Sequence, residues 1–71
     1  MAYDNKAVGR RLKSGMVDKG LTMEQMAEAT GLSRASISDY CIGRTVMTLE
    51  TASKVCEVLG WPIDRLAVRE Q

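Results

Sequence analysis

The chain has 71 residues, 45% of them hydrophobic, and its ten Lys and Arg against nine Asp and Glu leave a formal charge of +1. That length admits one small domain, and that apolar content supports a packed core and excludes a disordered chain. No apolar run approaches the roughly 18 residues of a membrane span, and the start MAYDNKAVGR lacks the apolar stretch of a secretory signal, so a cytoplasmic protein is expected.

Val8, Leu12 and Met16 stand four apart and predict an amphipathic first helix from about Asn5 to Lys19, capped by Asp4 or Asn5 and ended by Gly20. Gly15 inside it costs on the order of 1 kcal/mol relative to alanine, a cost that close approach of a neighbouring element would explain. Arg10, Arg11 and Lys13 cluster on this segment and read as a solvated face rather than a phosphate track.

Thr22 opens a second helix, because TMEQ matches the capping box in which Thr22 and Gln25 satisfy each other's orphan backbone donors. Met26 and Ala27 face inward, and Thr30-Gly31 ends the helix. A third begins at once in TGLSRASISDYCIG, with Ser33 as N-cap, Gly43 as stop and Ile37, Tyr40 and Cys41 as the buried stripe. Arg34, Ala35, Ser38 and Asp39 are left facing outward. A short helix, a tight turn with glycine and a second short helix form a helix-turn-helix unit over about 22–42.

After the polar connector RTVM, Thr48 caps a fourth helix whose stripe is Leu49, Ala52, Val55, Cys56 and Leu59, with Gly60 as its stop. Pro62 holds Trp61 extended and opens a last short helix, PIDRLAV. Trp61 is expected as a plug between the fourth and fifth helices, and Met16, Met26 and Met47 as gap-filling core. The class is therefore all-α, about five short helices in a single domain over 1–71, with short flexible ends at 1–4 and 68–71.

The chemistry is sparse. With no histidine, Cys41 and Cys56 build no metal set, and no imidazole is present to activate a Ser, Thr or Cys nucleophile. There is no Gly-rich phosphate loop. A non-enzymatic chain is expected, with no metal, cofactor or small-molecule ligand, and with both cysteines packed as small hydrophobes. The charge of +1 falls short of the basic signature of a nucleic-acid binder.

The runs LTMEQMAEATGLSRASISDYCIGR and TLETASKVCEVLGWPIDRL together resemble the Cro/C1-type helix-turn-helix family of phage repressors, also called the XRE family, from Val8 to about Leu66. The resemblance implies a lambda-repressor-like fold and a sequence-specific double-stranded DNA-binding regulator whose third helix, about 33–42, enters the major groove. It puts base reading at Arg34, Ala35 and Asp39, and phosphate or mixed contacts at Thr22, Ser33, Ser36, Arg44 and Thr45. It also implies a weak homodimer on a two-fold operator, for which Trp61, Ile63, Leu66 and Val68 are the apolar material.

Three departures from the family pattern stand out. Met23 takes the place of a glutamine that binds phosphate and braces the recognition helix. Met16 and Cys41 replace an arginine and a glutamate that pair in many members, an exchange of an ion pair for an apolar contact. Ile42 replaces a polar residue, so that Met23 and Ile42 put apolar groups on the expected phosphate-facing rim. That rim supports a second reading, a protein-interaction module of the same fold, antirepressor-like or antitoxin-like.

Overall fold

A computed structural model describes residues 4–66. Five helices follow in chain order: α1 (Asn5–Lys19), α2 (Met23–Thr30), α3 (Arg34–Ile42), α4 (Leu49–Leu59) and α5 (Ile63–Leu66). The described residues include no strand. Asp4, the first of them, is the N-cap of α1; the rest of the ends expected to be flexible, and the continuation of the last helix to 68, lie outside the described residues.

Four of the five helices start where a short polar side chain takes up an orphan N–H. Asp4 accepts from Ala7, Thr22 from Gln25, Ser33 from Ser36 and Thr48 from Thr51. The capping box of α2 closes in both directions, with the Thr22 N–H donating to Gln25 Oε1 at 2.9 Å. The matching stops are glycines, and Gly43 shows why: it ends α3 at a φ of 77°, where a side chain would be strained.

The core draws on every helix. Leu12 of α1, Met26 of α2, Ile37 of α3, Val55 and Leu59 of α4 and Leu66 of α5 are fully buried, each contributing about 1.5–3 kcal/mol of transfer free energy. Thr30 is the one buried polar side chain among the described residues, and its hydroxyl donates to the Met26 carbonyl at 2.8 Å. Met16 and Cys41 lie in this same cluster, as expected of an apolar replacement for an ion pair. Both thiols are free, and burial pushes them above their ordinary pKa, with Lys13 partly opposing this at Cys41.

Two glycines let helices approach closely. A Cβ on Gly15 would come within 2.7 Å of the Trp61 ring and 2.9 Å of Leu59, so the approach expected there is made by the segment joining α4 to α5. A Cβ on Gly9 would strike the carbonyl oxygens of Tyr40 and Cys41, so α1 and α3 cross backbone against side-chain-free backbone. Trp61 is half-buried against the core.

One stripe position differs from expectation. Leu49 is 73% exposed, although the α4 periodicity puts it with Ala52, Cys56 and Leu59. It stands in the first turn, at the mouth of an open apolar groove, and among the described residues no neighbouring helix covers it. Periodicity identifies the apolar face of a helix and not how far its partner extends.

Candidate nucleic-acid interface

Ile37 and Cys41 anchor α3 in the core, with Tyr40 packed beside them; Ser38, expected to face outward, is half-buried. Arg34 and Ala35 are exposed in its first turn, and Asp39, half-buried, lies four residues beyond Ala35 on the same strip. The three expected base readers therefore share one outward surface. Ser33 and Ser36 are tied to each other: the Ser36 N–H donates to Ser33 Oγ at 3.1 Å and the Ser33 hydroxyl to Ser36 Oγ at 2.9 Å. Their local duty is the cap, and the Ser36 hydroxyl proton stays free to donate.

The charged groups of this surface are paired across elements. Arg34 Nη1 lies 3.4 Å from Glu24 Oε1 in the first turn of α2, which brings the start of α2, with Thr22 as its cap, beside the start of α3. Arg44 Nη1 lies 3.9 Å from Asp39 Oδ1, while the Arg44 N–H donates to the Asp39 carbonyl at 2.9 Å. Both pairs are solvated, a setting in which an ion pair is worth at most about 1 kcal/mol, so neither locks its arginine away. Thr45 follows, exposed, in the loop after α3.

Sequence reasoning missed one neighbour of this surface. The backbone and Cγ of Lys6 lie about 3.0 Å from where a Gly43 Cβ would stand, next to Arg44. A lysine in the first turn of a helix carries no signal of where that turn docks. The basic cluster of α1 is divided: Arg11 donates to the Arg65 carbonyl at 2.7 Å, on the side of α5, while Lys13 acts on Cys41 of α3.

The expected apolar rim is halved. Ile42 is 55% exposed, but Met23 is half-buried and packs against the core. An unbranched side chain at the start of a short helix is long enough to fold under it.

The expected dimer residues are dispersed in the same way. Leu66 is only 1% exposed and belongs to the core, with Ile63 of the same short helix packed against its edge. Trp61 lies beneath the Arg65 guanidinium at 4.3 Å from the ring centroid, and Val68 is outside the described residues. Ile63 lines the open groove, with Leu66 at its floor, a cavity of about 180 Å³ shared with Val8, Met47 and Ala52. Beside it stand Val46, 62% exposed, and Leu49. Both were missed as surface residues; for Val46 the available signal was the apolar pair Val46-Met47 inside an otherwise polar connector.

Residues 12–66 match a family model described as helix-turn-helix. Over 58 residues the chain is 34% identical to an SPbeta prophage-derived HTH-type transcriptional regulator, YonR, of Bacillus subtilis, covering 82% of this chain. It spans 54%, about half, of that relative's length. Among solved structures it is similar to the restriction-modification controller protein C.AhdI from Aeromonas hydrophila, with a TM-score of 0.85, 27% identity and coverage of 89% and 96% of the two chains. It is also similar to the biofilm regulator SinR in complex with DNA, with a TM-score of 0.78, 25% identity and coverage of 83% and 95%. The matched segment runs from the middle of α1 through the crossed pair α2–α3 to the end of α5, and on that ground the chain belongs to the helix-turn-helix family.

Proposed function

We propose that this chain is a sequence-specific, double-stranded DNA-binding transcriptional regulator of repressor type, acting in the bacterial cytoplasm, with α3 as the helix that reads the major groove. One observation carries this: α3 is fastened by Ile37 and Cys41, with Tyr40 packed beside them, and this leaves Arg34 and Ala35 exposed and Asp39 half-buried on the outward strip. Arginine can hold guanine O6 and N7 with two parallel bonds, alanine can pack a thymine methyl, and a carboxylate can accept from cytosine N4. Thr22, Ser33, Ser36, Arg44 and Thr45 flank that strip as phosphate or mixed contacts. The relative named as a transcriptional regulator and the similar structure in complex with DNA support the same reading.

The competing reading, an interaction module presenting Met23 and Ile42, loses half its surface because Met23 packs against the core. Fluorescence polarisation with a random-sequence duplex at several salt concentrations tests the choice. Affinity should fall as salt rises, by about 0.9 in the log–log slope for each phosphate neutralised. Binding that ignores salt, or none at all, sinks the DNA reading.

A single unit covers one half-site, and pairing two copies on a two-fold operator is the second part of the proposal. Val46 and Leu49 line the groove together with Ile63 and Met47 and are themselves largely exposed, so the patch presents apolar surface that a second copy can cover in a two-fold contact. The patch is small, so the dimer is weak in dilute solution and completed on DNA, where the operator supplies the effective concentration. Leu49→Asp should abolish concentration-dependent association in analytical ultracentrifugation at an unchanged melting temperature, since a carboxylate suits the first turn of α4. Identical sedimentation of the variant and the parent would rule out this face.

A further inference from the structure

We infer that Glu24 sets how strictly Arg34 discriminates a guanine from a phosphate; the inference rests on the DNA-binding reading above. Glu24 has no packing role, since its side chain is 75% exposed, and it reaches an arginine ten residues away on another helix. The pair is therefore made by the fold of the helix-turn-helix unit and not by helical periodicity. It meets Arg34 through Nη1 alone, at 3.4 Å. A guanidinium carries five N–H donors in one plane, so Arg34 can keep Glu24 on Nη1 while its remaining edge takes guanine O6 and N7.

A phosphate offers no such sharing. To reach one, the guanidinium must bring a second anion up against the carboxylate or leave Glu24 unpaired beside the nucleic-acid backbone. Like charges then oppose the contact that every sequence provides, while the neutral base edge escapes the penalty. The chain's ten Lys and Arg are nearly balanced by nine Asp and Glu, so no large net positive charge masks the effect. Glu24 thus acts through Arg34, as a positioning residue that lowers random binding more than operator binding.

The test measures polarisation on two duplexes, one of random sequence and one enriched from a random pool by the unaltered chain. Glu24→Gln should tighten binding to the random duplex about two- to fivefold, the range a solvated ion pair allows, and leave the enriched duplex unchanged or weaker. The ratio between the two then narrows. In an Arg34→Ala background the same substitution should leave the ratio unaltered. Equal tightening on both duplexes, as a bare gain of charge would give, overturns the inference, as does a narrowed ratio that survives Arg34→Ala. Matched melting temperatures confirm folding, and an unaltered chain that binds neither duplex removes the DNA-binding reading itself and this inference with it.

Discussion

Gly9→Ala should destabilise the domain by about 2 kcal/mol, a net of opposing effects. Alanine improves the helix by about 1 kcal/mol, and if Gly9 were merely a tolerated glycine the variant would melt higher. Its Cβ, however, meets the carbonyl oxygens of Tyr40 and Cys41. Backbone cannot swing aside as a side-chain tip does, so α3 must move bodily from α1, parting Leu12 from Ile37, which costs about 3 kcal/mol or more at the upper end of overpacking. A chain of 71 residues has a total stability of about 4–11 kcal/mol, so a large share is lost and the melting temperature drops by roughly 10 °C. Gly15→Ala should cost less, because the Trp61 ring and Leu59 tip it would meet are side-chain atoms with room to yield. A Gly9→Ala chain that melts at or above the parent temperature would show that the crossing is not tight.

Arg34→Ala and Arg44→Ala should separate recognition from attraction. If Arg34 holds a guanine by two bonds, its loss costs about 1–3 kcal/mol and relaxes preference at one base position. Arg44 sits at the end of α3 in the loop, and its loss should weaken all sequences alike and reduce the salt slope by about 1. Selection from a random pool followed by salt titration reads both. Equal, sequence-independent losses from the two variants would overturn Arg34 as a base reader.

What the sequence made legible follows from the range of each signal. The caps at Asp4, Thr22, Ser33 and Thr48 act within three residues, so helix starts were readable one by one. The stripes of Val8, Leu12 and Met16 and of Ile37, Tyr40 and Cys41 depend only on helical period, and all are buried as expected except Tyr40, which is half-buried against the core. Leu49, Met23 and Leu66 were misplaced because their burial depends on which distant element arrives. Gly9 went unremarked for the same reason: only the crossing with α3 gives a glycine there a purpose. The candidate site was legible through resemblance, but the pairing of Arg34 with Glu24 needs α2 and α3 set against each other in space.

Within the nine residues of α3, duties are divided by side: Ile37 and Cys41 fasten it, Ser33 and Gly43 bound it, and Arg34, Ala35 and Asp39 lie outside the core. Mutations at the outer three alter what the helix presents at little cost in stability. If that outer strip reads bases as proposed, a lineage carrying this scaffold can drift among target sequences without passing through an unfolded ancestor, and two copies in one cell can part company by a few codons.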